Sequence, residues 1–327
     1  MNKSFVLLIF SYLAILTKQV KFLSESEEKQ CKILVLEGGG DNGAYQAGAL
    51  KALLETKESS EVNYDIITGV SLGAFNAAIL ASYPIGQEKE AAKYIENSWR
   101  NLDKDNIYKN WFPFGVIEGI TSKEGFYNSE PEEKKMKEVF KDRTLERNLV
   151  ICATNALTGK FECFNDAIIK EHGVTGAIMA STAFPPLFPS YKYIGNNYYD
   201  GTIKHSMEYI QAINECVDKG FTKEQIVVDI LLCNSPKITQ YSKDDYHVFN
   251  SLMRLIEIIS YDLETKDYEY FKKIYPDIKI RYLVEPSQAI PDSKHPYEFK
   301  KSDIDFMIQL GYNDALNVFK EVDEKSN

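Results

Sequence analysis

Thr68-Gly69-Val70-Ser71-Leu72-Gly73-Ala74-Phe75-Asn76-Ala77-Ala78 is the stretch on which the reading of this 327-residue chain turns. Apolar Ile66-Ile67 leads into it, and a run of small residues leads out. Its centre, Gly69 to Gly73, has the G-x-S-x-G form in which a strand turns abruptly into a helix and lifts a serine to the apex. Side chains at the two glycine positions would collide with the neighbouring strand and helix. Ser71 is therefore the candidate nucleophile. The helix N-terminus beneath it offers N–H groups and a favourable dipole to an oxyanion.

On the N-terminal side, Cys31 to Glu37 (CKILVLE) reads as a buried strand. It feeds Gly38-Gly39-Gly40-Asp41-Asn42-Gly43 and then a helix with Ala47, Leu50 and Leu54 on one face. Consecutive glycines can turn their N–H groups toward one point, since no side chain blocks the approach. Gly38, Gly39 and Gly40 are thus candidate oxyanion donors, helped by the N–H of Leu72. On the C-terminal side, the periodicity predicts a helix from the elbow to about Ser82, stopped by Pro84, and a charged amphipathic helix from Gln87 to Leu102. Residues 103–127 are irregular and aromatic around Trp111-Phe112-Pro113-Phe114. Ser129-x-x-Glu132 then reads as a capping box for a Lys/Glu-rich helix.

Further on, Leu149 to Thr154 and Lys160 to Phe164 read as a hairpin across Thr158-Gly159. A short helix from Val174 to Ser181 ends at Phe184-Pro185-Pro186-Leu187-Phe188-Pro189. Tyr191 to Tyr199 reads as a second hairpin, turning at Gly195-Asn196-Asn197 and delivering Asp200-Gly201 at its end. Acyl transfer needs a base beside the nucleophile, and a carboxylate in a dry site becomes a stronger one. Asp200 is the candidate. A helix from about Ser206 to Gly220, a buried strand Ile226 to Cys233, a helical tract over 244–275, a strand Ile278 to Val284 and a last helix from Ser302 complete the pattern. Strands alternating with helices, several of them continuous apolar runs, indicate an α/β sandwich with a largely parallel sheet. One acyl hydrolase domain over 31–322 is expected, with 83–146 as an insertion or cap.

At 44% hydrophobic residues the chain can bury a substantial core, and a net charge of −10 argues against a nucleic-acid partner. Lys3 and the apolar run Phe5 to Leu16, followed by charged residues, suit a signal peptide over 1–23. That reading predicts a secreted or endomembrane-lumen protein, a retained membrane anchor being the alternative. Cys31, Cys152, Cys163, Cys216 and Cys233 are dispersed, without metal-ligand spacing. Cys152 and Cys163 flank a hairpin and could pair. Cys152 and Cys233, in apolar strand-like runs, are more simply read as buried thiols.

Gly38 to Gly48, Gly69 to Gly73, and Ala180 to Pro189 followed by Tyr199-Asp200-Gly201 stand in an order that resembles the patatin-like phospholipases. Ile308 to Ala315 is similar to the closing helix common in that family. The resemblance covers most of the chain beyond its N-terminal segment and implies a three-layer α/β/α sandwich. It further implies a lipid acyl hydrolase of phospholipase A type. Its Ser71–Asp200 dyad would work without histidine, metal or cofactor, through an acyl-enzyme, on phospholipid or other lipid esters at a membrane or micelle interface. Gly43, Gly69, Gly73 and Gly201 fall at the family's motif positions. Asn42 stands where the family usually has Arg or Lys, and Thr202 where a second Gly is common. Supplying that cation by Asn42→Arg is expected to raise turnover of anionic or phospholipid esters.

Three other readings compete. A catalytically weak or silent lipid-binding member would retain the fold. Gly38-x-Gly40-x-x-Gly43 also fits a dinucleotide-binding fingerprint, with Glu61 or Asp65 as the ribose contact. A Ser-His-Asp hydrolase would have to draw on His172, His205, His247 or His295, each read here as a surface histidine. Trp111 to Phe114 and Phe184 to Pro189 are candidates for an acyl pocket or an interfacial surface.

Overall fold

The computed structural model describes residues 29–234, 248–290 and 299–326. The segment read as a signal peptide or anchor, together with His247 and His295, lies outside them. An eight-stranded sheet forms the centre: β1 (Cys31–Leu36), β2 (Ile66–Val70), β3 (Asn148–Asn155), β4 (Phe161–Phe164), β5 (Tyr191–Tyr193), β6 (Asn196–Tyr199), β7 (Ile226–Leu231) and β8 (Lys279–Val284). Its order is β5-β6-β3-β2-β1-β7-β8, with β4 also pairing β3. The run β3-β2-β1-β7-β8 is parallel, while β4, β5 and β6 make antiparallel pairings at one side.

Every residue of β2 and β7 is buried, as expected for parallel strands covered on both faces. Along β1 the two-residue period divides the core. Leu34 and Leu36 join one apolar cluster, and Cys31, Ile33 and Val35 join the other. The first cluster is covered by α1 (Gly43–Thr56), α2 (Leu72–Ala81), α3 (Glu88–Arg100), α5 (Glu130–Phe140), α6 (Val174–Thr182) and α9 (Lys301–Ser326). A short α4 (Val116–Ser122) lies between α3 and α5 in sequence. The second cluster is covered by α7 (Ile210–Asp218) and α8 (Val248–Ile274). The fold is a three-layer α/β sandwich with a mostly parallel central sheet. Ala91, Ala92, Ile95 and Trp99 of α3 are buried in the first cluster, so this part of 83–146 belongs to the core.

One expectation about cysteine is corrected. Cys152 is not a buried thiol: antiparallel register sets it opposite Cys163, and the two form a disulfide. A second disulfide, Cys31–Cys216, ties β1 to α7 across 185 residues. Cys233 is buried and in neither.

α1 and α9 cross at two glycines. A Cβ on Gly48 would lie 1.9 Å from the Ile308 carbonyl oxygen, and one on Gly311 would lie 2.0 Å from the Tyr45 carbonyl oxygen. Neither backbone can yield without separating the helices. Gly311→Ala should therefore lower stability by about 2 kcal/mol, as overpacking does. Thermal unfolding checks this: the melting temperature should fall by several degrees, and an unchanged value would contradict the crossing.

Candidate active site

Parallel strands deliver the first two pieces side by side, because β1 and β2 pair in register from Ile33↔Ile66 to Leu36↔Gly69. β1 ends at the Gly-rich turn and β2 ends at Ser71. Ser71 has φ 52° and ψ −130°, a left-handed conformation costing a non-glycine residue on the order of 1–3 kcal/mol. The surroundings hold it there. Its N–H donates to Ser181 Oγ at 2.8 Å, and the Ser181 hydroxyl donates to the Cys152 carbonyl at 2.6 Å. A Cβ on Gly69 would meet the Gly73 carbonyl oxygen at 2.5 Å, and one on Gly73 would meet that of Glu37 at 2.4 Å. Only glycine lets the elbow close.

The third piece arrives from the β5–β6 hairpin. The Asp200 N–H donates to the Ala183 carbonyl at 2.9 Å, joining the strand end to the loop after α6. The Ser71 hydroxyl then donates to Asp200 Oδ2 at 2.6 Å. Asp200 Oδ1 accepts from both the backbone N–H and the hydroxyl of Thr202, each at 2.8 Å. Asp200 is fully buried. Burial pushes its carboxyl from the ordinary 3.8 up to about 6, against the opposing effect of the hydrogen bonds from Ser71 and Thr202.

The Gly-rich turn lies against the same point. A Cβ on Gly38 would strike Thr202 Cγ2 at 2.4 Å and the Val70 carbonyl oxygen at 2.9 Å. The Gly38 N–H, however, donates to the Ser206 carbonyl at 2.9 Å and is committed there. Gly40 takes a positive φ of 57°, and Leu72 opens α2 directly after Ser71. Asn42 donates to Asn234 Oδ1 at 3.1 Å, and Asn234 donates to the Gly38 carbonyl at 2.9 Å. A neutral amide clip thus braces the turn at Asn42, where the resemblance led to the expectation of a cation.

Sequence reasoning missed several supporting groups. Ser181 stood within a quoted motif without a role, and its partner lies 110 residues away. Glu37 read as the end of an apolar strand. It is buried under the turn, where it accepts from the Cys233 N–H at 2.8 Å and the Ser206 hydroxyl at 3.2 Å. Burial pushes it up to about 7. Glu132 read as half of a capping box, but Ser129 makes no side-chain cap. Asn128 Oδ1 accepts the Glu130 N–H at 2.8 Å instead, and Glu132 turns inward. Burial raises its carboxyl to about 8, and the charge of Asp200 adds to the effect.

Among the described residues the competing constellations do not assemble. His205 Nδ1 pairs with Asp267 Oδ1 at 2.8 Å, with its ring edge-on to Phe161, and His172 sits beside Glu171. The dinucleotide reading fails on position. Asp65 precedes β2 and accepts the Lys32 N–H at 2.9 Å, at the amino edge of strands whose carboxyl edge carries the Gly-rich turn. Glu61 is held in a local capping box with Glu58.

Residues 34–213 match the family described as patatin-like phospholipase. The match spans more than half of the chain and includes both Ser71 and Asp200. The chain belongs to the patatin-like phospholipase family. It is 27% identical over 185 residues to an uncharacterized protein of Acanthamoeba polyphaga mimivirus, covering 53% of this chain and 59% of that one. It is 28% identical over 152 residues to the cUMP-AMP-activated phospholipase of Escherichia coli, covering 45% and 41%. The chain thus spans about half the length of the curated relatives it matches. Among solved structures, VipD from Legionella pneumophila aligns over 90% of this chain and 67% of its own, with 14% identity and a TM-score of 0.47.

The raised Asp200 carboxyl has a consequence for stability. The native state holds this proton more tightly than the unfolded chain. The burial cost is therefore absent below about pH 4, grows as pH rises and is complete above about pH 6. Asp200→Asn keeps an acceptor toward Thr202 and carries no charge. It should match the wild type near pH 4 and exceed it by about 3 kcal/mol near pH 8. Denaturant unfolding at the two pH values checks this. An Asn variant no more stable near pH 8 would contradict the buried-charge assignment.

Proposed function

We propose that this protein is a lipid acyl hydrolase of phospholipase A type that works through a Ser71–Asp200 dyad. The observation that carries the reading is the 2.6 Å hydrogen bond from the Ser71 hydroxyl to a carboxylate buried at the same sheet edge as the Gly-rich turn. Family membership supports the reaction class, and the E. coli relative's name supports a phospholipid substrate.

In this mechanism Ser71 Oγ attacks the ester carbonyl carbon while Asp200 Oδ2 takes its proton. The carbonyl oxygen becomes an oxyanion facing the amides of Gly39, Gly40 and Leu72, the Gly38 amide being engaged elsewhere. The bond to the alcohol oxygen breaks, Asp200 returns the proton to that oxygen, and an acyl-enzyme remains. Water then attacks the acyl carbon, again giving its proton to Asp200. Collapse releases the fatty acid and restores the Ser71 hydroxyl. A carboxyl near 6 serves as a base at neutral pH better than one at 3.8. Thr202 fixes its orientation through two donors to the other oxygen.

A lipid–water interface as the site of action is supported by Phe112, Phe114, Ile117 and Ile120, each at least 65% exposed. They adjoin Trp111, whose indole donates to the Gly125 carbonyl at 2.9 Å. The next residues, Phe126 and Tyr127, donate to the carbonyls of Pro186 and Leu187, in the loop that leads to the Asp200 contact. The two disulfides support the further proposal of an oxidising compartment.

Hydrolysis of p-nitrophenyl esters and phospholipids by single-site variants tests the dyad. Ser71→Ala should fall to background, and Asp200→Asn should lose at least ~100-fold in turnover. His205→Ala should keep both turnover and the acid limb. The position of that limb does not by itself separate the mechanisms, since about 6 lies close to an ordinary imidazole. The variant must do so: a His205→Ala protein that folds yet loses as much as Asp200→Asn would replace the dyad with a triad.

A further inference from the structure

A cavity of about 220 Å³ opens between α2, α3 and α5, under the segment that joins α3 to α5. Its walls are largely apolar: Leu72 and Phe75 from α2, Trp99 from α3, Ile107, and Met136 and Val139 from α5. Neither Trp111 to Phe114 nor Phe184 to Pro189 contributes, so the acyl-pocket role considered for those runs does not apply to this cavity.

Two independent tethers join the inner end of the cavity to Ser71 and Asp200. Leu72 follows Ser71 directly, and its side chain lines the cavity while its amide faces the proposed oxyanion. On α5, Glu132 lies close enough to Asp200 for the two charges to interact, and Met136 one helical turn later lines the cavity. The outer end is polar, where exposed Asn97 and Asn101 reach solvent. A groove that is apolar along its walls, bounded at one end by the residue that follows Ser71 and wet at the other, suits an ester whose acyl carbon sits at Ser71.

We propose that this cavity receives the fatty acyl chain of the substrate and that Met136 sets the chain length it accepts. The inference rests on the Ser71 acyl-enzyme reading. Trp99 is the fixed wall: it is buried, its indole donates to Asn76 Oδ1 at 2.8 Å, and its ring stands edge-on to Phe75. Met136 is the adaptable wall, unbranched and buried on a helix that also faces the dyad. At about 30 Å³ for a water-sized group, a methylene among them, the cavity holds on the order of seven such groups. Medium chains near octanoyl fill it, and longer chains emerge past the two asparagines.

The test is kcat/KM across p-nitrophenyl esters from acetyl through octanoyl to palmitoyl. The unaltered enzyme should peak at medium chains. Met136→Trp, which fills the cavity, should cut the octanoyl-to-acetyl ratio about tenfold or more, the scale set by one or two methylenes in an apolar pocket. Met136→Ala should move the optimum to longer chains. If Met136→Trp folds poorly, Val139→Phe narrows the same cavity. A second readout needs no turnover: decanoate should bind the Ser71→Ala protein, and adding Met136→Trp should weaken it about tenfold by calorimetry. Intact turnover with unchanged ratios, or decanoate binding that is absent or indifferent to Met136, overturns the cavity assignment and leaves the dyad standing. Loss of all ester hydrolysis in the unaltered enzyme would instead count against the dyad.

Discussion

The Ser71 N–H donating to Ser181, and Ser181 donating in turn to the Cys152 carbonyl, is the link on which the rest of the site depends. It joins the elbow after β2, the end of α6 and the middle of β3 through one hydroxyl. Without it the left-handed Ser71 would carry a buried amide with no partner, a loss of about 1–3 kcal/mol beyond the strain already present. One residue further along α6, Thr182 leads to Ala183, whose carbonyl holds Asp200. The segment that restrains the Ser71 backbone therefore also positions the Asp200 carboxylate. The two residues are not placed separately.

The same economy appears beneath the Gly-rich turn. Glu37 spends both carboxylate oxygens on the loop after β7 and on Ser206, while Ser206 accepts the Gly38 amide and takes support from Asp267. His205, the neighbour of Ser206, is drawn to that same Asp267 and away from Ser71. The buried acids Glu37, Asp200 and Glu132 are all raised by desolvation. Burial is costly for each, and for Asp200 that cost is what would suit a carboxylate to the proposed role of base near neutral pH.

Much of this was legible in the sequence because the decisive features are local backbone chemistry. Gly69 and Gly73 mark a close strand-to-helix turn, Gly195 marks the hairpin, and apolar runs such as Ile226 to Leu231 mark strands covered on both faces. The hairpin read from Tyr191 to Tyr199 led to Asp200 because a hairpin end is a definite place. What remained hidden depends on partners far apart in sequence. Ser181 looks like any small helical residue until β2 arrives 110 positions away. The Cys31–Cys216 disulfide closes 185 residues and leaves no spacing signature. Glu132 misled for the opposite reason: a local capping pattern fitted it well, but the side chain is buried beside Thr182 and Asp200 instead.

The claim at the centre is that Ser71 carries the acyl group, and covalent trapping addresses it most directly. The protein should be treated with a fluorophosphonate and the adduct mapped by mass spectrometry. A single adduct is expected on Ser71, absent in Ser71→Ala and formed much more slowly in Asp200→Asn. An adduct on another serine, or undiminished labelling of Ser71→Ala, would contradict it.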